Sequence, residues 1–148
     1  MKWKLGQYLI STDQEKLNIP LIHGFLSVHS YWAKGIPLET VQRSIRHSMC
    51  FGLYRNEEQI GFARVISDRA TYAYLGDVFV LPEERGKGMS KWLIQVIVEH
   101  PELQGLRRFV LATRDAHGLY AQFGFAPYAQ PENIMNRHNS DVYTKKTF

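Results

Sequence analysis

Residues 78–93 read VFVLPEERGKGMSKWL, and the rest of the chain is best understood outward from them. An apolar, β-branched run ends at Leu81. Pro82 breaks it, and a polar loop bearing Gly86 and Gly88 follows. Met89, Trp92, Leu93, Val96 and Ile97 then recur at the spacing of one helical face. The pattern predicts strand, loop, helix. A helix start leaves its first amides unpaired and carries a positive partial charge, so glycines just before it can make an anion cradle. Gly86 and Gly88 let the backbone approach phosphate oxygens with no side chain between, and Arg85 and Lys87 add charge beside it. The physical reading is a di- or pyrophosphate site. The spacing GxxxxGK[ST] is absent, and GxGxxG would need a third glycine where Lys91 stands, so neither common nucleotide loop fits.

Upstream, Thr71–Leu81 is a long run of aromatic and β-branched residues. Phe51–Arg55 and Ile60–Ser67, separated by the polar turn Asn56–Gln59, read as a hairpin. Pro37 is placed to open a helix carrying Leu38, Val41, Ile45 and Met49. Ile19–Trp32 reads as an earlier helix with Leu21, Phe25, Val28 and Trp32 in phase, and Trp3–Ile10 as a first strand. Downstream, Pro101 stops the helix that begins at Met89. A short strand is expected at Phe109–Thr113, a short helix at Ala116–Phe123 closed by Gly124, and a last strand at Asp141–Lys146. A meander of strands followed by strand–helix alternation predicts a mixed α/β (α+β) layout with one late parallel crossover.

Composition bounds the function. The chain has 148 residues, of which 45% are hydrophobic and 22% charged, with no repeat, linker or low-complexity stretch; one domain over 1–148 is expected. Nineteen aromatic residues exclude a disordered chain, and Cys50 alone excludes a disulfide scaffold. The most apolar stretch, Trp92–Val98 with Gln95 inside it, falls far short of the ~20 residues a spanning helix needs. The start of the chain shows no signal-peptide pattern, so a cytoplasmic protein without membrane partners is expected. Net charge is +4, but the basic residues are scattered without interleaved aromatics, which argues against nucleic acid and suits a phosphate-rich cofactor. The six histidines and Cys50 show no metal-ligand spacing, and no GxSxG elbow is present.

The central stretch resembles the acetyl-CoA-binding motif of the Gcn5-related N-acetyltransferases (the GNAT superfamily). Arg85-x-x-Gly88-x-Ser90 is similar to that family's Arg/Gln-x-x-Gly-x-Gly/Ala, with serine as the final small residue. Thr113-x-x-Ala116-x-x-Leu119-Tyr120-x-x-x-Gly124-Phe125 resembles a second family motif, with threonine in place of asparagine. The resemblance runs from about Ile60 to Phe125. It implies the GNAT acyl-CoA N-acyltransferase fold: a mixed, mostly antiparallel central sheet flanked by helices, splayed between its fourth and fifth strands.

What the resemblance implies for chemistry is direct acyl transfer from acetyl-CoA to an amine, with coenzyme A as product. Val78, Phe79 and Val80 would lie along the cofactor arm. Arg85, Gly86, Lys87, Gly88, Met89 and Ser90 would hold the pyrophosphate, and Thr113, Ala116 and Tyr120 would flank the thiol. Tyr120 would be the general acid to the departing thiolate, as a phenol of pKa near 10 can be. Many members carry a glutamate where this chain has Tyr74, so the base is left open. Strand alternation puts Asp77 on the face opposite Tyr74, Val78 and Val80, which favours a structural role for it. Tyr31, Trp32 and Tyr74 are expected to line the acceptor pocket and to favour an aromatic or cationic amine. The competing reading places Trp32 in the core, in phase with Leu21, Phe25 and Val28. His117 is a neighbour of Tyr120 in sequence and is weighed as a neighbour of the thiol. Cys50 reads as a small buried hydrophobe. The expected acceptor is the primary amine of a small molecule, served by a monomer or homodimer. The alternatives are a protein lysine or N-terminal acetyltransferase and a non-catalytic acyl-CoA-binding module.

Overall fold

A computed structural model describes residues 1–144. Six strands form one sheet in sequence order: β1 (Lys2–Leu5), β2 (Tyr8–Ser11), β3 (Met49–Arg55), β4 (Glu58–Ser67), β5 (Tyr72–Val80) and β6 (Arg108–Leu111). The first four pairings are antiparallel and β5–β6 is parallel. Helices α1 (Ile19–Gly24) and α2 (Leu38–Arg46) precede β3. Helix α3 (Met89–Val98) makes the crossover from β5 to β6, and α4 (His117–Ala121) follows. The mixed, mostly antiparallel sheet flanked by helices is therefore as expected.

Side chains alternate across the sheet into two cores. Met49, Phe51 and Leu53 of β3 meet Leu93, Ile94 and Ile97 of α3 on one face. Cys50, Phe62 and Phe79 meet Ile22, Phe25, Leu26, Val41 and Ile45 of the α1–α2 layer on the other. Phe25 stacks on Phe79 at 4.0 Å between ring centroids. Burying a side chain of this kind contributes roughly 1.5–3 kcal/mol.

Several boundaries differ from expectation. The expected strand at Trp3–Ile10 is a hairpin, turned at Gly6, whose φ of 58° suits glycine. That adds one strand, so the predicted splay between fourth and fifth strands falls here between β5 and β6. The expected helix Ile19–Trp32 is shorter. Asn18 caps it by accepting from the Leu21 amide at 3.0 Å, and after Gly24 the chain widens into a π-helical turn, Phe25–His29. The extra residue per turn moves the buried face to Ile22, Phe25 and Leu26 and leaves Val28 61% and Trp32 42% exposed. Met49 belongs to β3 instead of α2. Asn56 and Glu57, at φ 48° and 73°, make the β3–β4 turn tighter than the expected Asn56–Gln59. The strand expected at Asp141–Lys146 does not form over 141–144, which is a turn, and its remainder lies outside the described residues.

Candidate active site

Pairing between β5 and β6 runs only from Tyr72↔Arg108 to Leu75↔Leu111. Beyond Leu75 the strands separate. At the same point β5 carries a bulge against β4: Phe62 pairs Phe79 but Arg64 pairs Gly76. The extra residue adopts the left-handed region at Asp77, φ 54°. A bulge shifts side-chain parity by one. Ala73 and Leu75 face the α3 core, yet beyond the bulge it is Val80 that joins that core and Phe79 that joins the other. Asp77 is thereby carried to the α1–α2 side with Tyr74, while Val78 packs against the α3 core. The expectation that Asp77 opposes Tyr74 is corrected: simple alternation fails because one residue of β5 is unpaired.

The splay opens a cleft of about 610 Å³. Tyr31, Trp32, Tyr74, Val78, Thr113, Ala116 and Tyr120 all line it, whereas Phe79, Val80 and the residues of the 85–90 loop do not. Trp32 is a cleft wall and not a core residue, because the π-helical turn rotates it outward. Its indole Nε1 donates to Asp77 Oδ1 at 2.9 Å. Arg64 Nε donates to Asp77 Oδ2 at 2.8 Å, and Arg64 Nη1 donates to Ser48 Oγ at 3.1 Å. Tyr31 meets Trp32 edge-on at 5.0 Å, and its hydroxyl accepts from the Arg114 amide at 3.1 Å. The Arg114 guanidinium stands over the Tyr31 ring at 3.9 Å. Tyr31 so bridges the cleft from the α1–α2 layer to the loop after β6.

Tyr120 is buried on α4 and faces Phe125 edge-on at 6.0 Å. Burial, with Tyr31 and Asp115 adding smaller effects, pushes its phenol up to about 12. It therefore stays protonated and able to donate. Burial first, then the Asp77 charge, also raises Tyr74, which makes a poor base of it. The Thr113 hydroxyl accepts from the Ala116 amide at 3.1 Å and holds the turn into α4. His117 is exposed at the head of α4 and is not among the cleft residues.

At the other end of the splay, Gly86 and Gly88 both sit near φ 80°, and a Cβ added to either meets nothing within 4 Å. Glycine is needed there for backbone conformation. Among the described residues, none of the amides of residues 86–91 donates to a backbone carbonyl, whereas the Trp92 amide already bonds Gly88. These donors at the head of a ten-residue helix fit a diphosphate. Phe79, Val80 and Met89 bury their side chains, leaving only backbone for a ligand. Ser90 lies half-buried in the first turn of α3. Arg85 Nε is turned back onto the Val80 carbonyl at 3.0 Å. Lys87 Nζ is tied to Glu84 at 3.2 Å, and Glu84, only 3% exposed, also pairs with Arg55 at 2.7 Å. Sequence reasoning missed Glu84, Arg64, Arg114, Asp115, His138 and Tyr143. Glu84 lies in the quoted loop and Arg114 and Asp115 lie inside the second motif, but nothing in the sequence marks their contacts; Arg64, His138 and Tyr143 reach the cleft only in the folded chain.

A sheet opened between two parallel strands, with free amides at the helix that follows, is the arrangement that the resemblance to the acetyltransferases implied. The chain belongs to the acetyltransferase (GNAT) family, whose model matches residues 20–125. A crystallised GNAT-family protein from Xanthomonas campestris pv. campestris is 55% identical and superposes with a TM-score of 0.92 over 96% of this chain and 100% of that one. A Gibberella zeae protein is 36% identical over 142 residues, 81% of this chain and 79% of its own. A Deinococcus radiodurans R1 protein, 19% identical, shares the fold over the full length of both chains with a TM-score of 0.73. All three bear the name "putative acetyltransferase". The protein is an acyltransferase enzyme of this family. Among the described residues no helix is long and apolar enough to cross a membrane, and no cluster of His, Cys, Asp and Glu could hold a metal ion.

Proposed function

We propose that the protein transfers the acetyl group of acetyl-CoA to the primary amine of a small molecule by direct attack. The observation that supports this is the splay itself: β5 parts from β6 beyond Leu75, Tyr120 lines the cleft so opened, and β5 runs on into the loop whose amides at 86–91 have no backbone acceptor. Acetyl-CoA supplies the activated thioester. The chain's part is to bind and orient. The amides of Gly86, Lys87, Gly88, Met89 and Ser90, with Arg85 and Lys87 swung outward from Val80 and Glu84, would cradle the diphosphate. The backbone of Val78, Phe79 and Val80 would run beside the pantetheine arm, and Thr113 and Ala116 would close the far side. Tyr31, Trp32 and Tyr74 would hold the acceptor.

As the C–N bond forms and the C–S bond breaks, Tyr120 gives its proton to the departing sulfur. The ammonium form of the acceptor loses two protons overall, one restoring Tyr120 and one passing to water. A cleft walled by Tyr31, Trp32 and the Arg114-clamped loop favours a compact acceptor over an extended polypeptide.

A thermal shift with acetyl-CoA tests the cofactor site. At about 100 times its Kd the ligand adds ~2.7 kcal/mol, a rise of several degrees for a chain of this size. Arg85→Glu and Gly88→Asp should each abolish the rise. A well-folded native protein that shows none would sink the reading.

A further inference from the structure

We propose that Asp77 is the anchor for the acceptor's ammonium group, so that the cleft selects cationic primary amines built on an aromatic or aliphatic body. The inference deepens the acetyltransferase reading and rests on it. Three observations carry it. First, Asp77 is a non-glycine residue held at φ 54° in the bulge, a backbone state that costs of order 1 kcal/mol or more and persists only where the surroundings impose it. What the bulge achieves is to turn this carboxylate from the α3 face into the cleft, beside Tyr74, where the sequence offers no acid.

Second, the carboxylate is held but not used up. Its side chain is 10% exposed. Oδ1 accepts from the Trp32 indole and Oδ2 from Arg64 Nε. A carboxylate has about four lone-pair sites, so each oxygen keeps one for a further donor. An ammonium brings three. Arg64 is itself shared with Ser48, which fixes the carboxylate's direction. Third, Asp77 immediately precedes Val78 at the open edge of β5, beside which the pantetheine arm would run, so an ammonium held by Asp77 waits near the thioester and attacks once one proton has passed to water. The faces of Trp32 and Tyr74 beside it supply apolar and cation–π contact to the rest of the acceptor.

The alternative for Asp77 is a purely structural clamp on Trp32. The two roles separate by asking what the variant loses. The probes are 2-phenylethylamine and 2-phenylethanol, matched in shape and differing in charge, titrated calorimetrically at pH 7 with coenzyme A present. The native protein is expected to bind the amine at least tenfold more tightly than the alcohol. Asp77→Asn keeps the size and tolerates positive φ; it should bring the amine to within about twofold of the alcohol and leave the alcohol's Kd unchanged. A native protein without the preference, or an Asp77→Asn variant that retains it, overturns the proposal. If Asp77→Asn loses the alcohol too, Trp32→Phe decides, since it removes the indole donor and leaves the carboxylate. Persistence of the amine preference there supports the proposal, and its loss overturns it. The acetyltransferase reading fails separately, by the absence of a thermal shift with acetyl-CoA in the native protein.

Discussion

Tyr120 shows how one residue acquires a task from its setting. In water a phenol would be half ionised near pH 10; in this cleft burial pushes it up to about 12. A proton donor must be protonated to work, so the shift extends its useful range to higher pH. Tyr120→Phe should lower kcat about a hundredfold, the scale of one general acid, with KM for acetyl-CoA within about threefold of native. The native-to-variant rate ratio should stay level from pH 8 to pH 10. A ratio that falls on approaching pH 10 would mean that the phenol ionises near its ordinary value after all, and a ratio near one throughout would mean that it is not the donor. Asp77 makes the complementary case. Its identity was legible in the sequence, but its direction was not, because a period of two holds only while every residue of the strand is paired.

At the scale of elements, the glycine loop is tied to the rest of the fold by charge. Glu84 sits at the end of the turn after β5, buried, between Arg55 from the end of β3 and Lys87 from the loop. The Arg55 Nε is itself buried without a partner. Removing the carboxylate by Glu84→Ala leaves two cations uncompensated. Both are substantially exposed, so water screens much of the loss and the expected destabilisation is about 2 kcal/mol, roughly 6 °C in Tm. Calorimetric melting checks it; a change under 1 °C would mean the buried pair contributes nothing net. The two glycines act differently. Their positive φ is a requirement of the loop whether or not a ligand is present, which is why they were readable as a motif.

For the molecule as a whole, stability should decline on both sides of neutrality. Burial raises Cys50 from 9.0 to about 12, and Tyr54 and Tyr120 from 10.0 to about 12. As pH climbs above 9, the unfolded chain sheds these protons before the folded one does. The folded state then binds more protons and loses stability with each further unit, of the order of a few kcal/mol by pH 11. On the acid side, burial lowers His100, whose Nδ1 accepts from the Glu102 amide at 3.1 Å. Below its ordinary value of 6.5 the unfolded chain takes up the proton first, and stability falls again. Urea midpoints from pH 5 to pH 11 should show a plateau between about 6.5 and 9, and Cys50→Ala should move the alkaline onset to about pH 10. A flat profile through pH 11 would show these groups to be less protected than their burial implies.

The sequence by itself determined what is local or periodic. The strand–loop–helix at 78–93, the hairpin of β3 and β4, the crossover through α3 and the two motifs ending at Ser90 and Phe125 are each set by residues close together in the chain. Hydrophobic period, proline stops and glycine conformations act over a few residues and set these elements; the two motifs carried the resemblance to the family and, through it, seven residues of the cleft. Only the tertiary structure decided the rest. Between the two readings of Trp32, cleft wall or core, the choice fell to the cleft because a single π-helical turn rotated everything after Gly24. Asp77 changed faces because β5 bulged against β4. Arg64 reached the cleft from β4, and Arg55 reached the buried Glu84 from β3. One inserted residue costs little locally, yet it redirects every side chain beyond it, and which strand or helix absorbs that residue is settled only when the sheet and its two layers pack together.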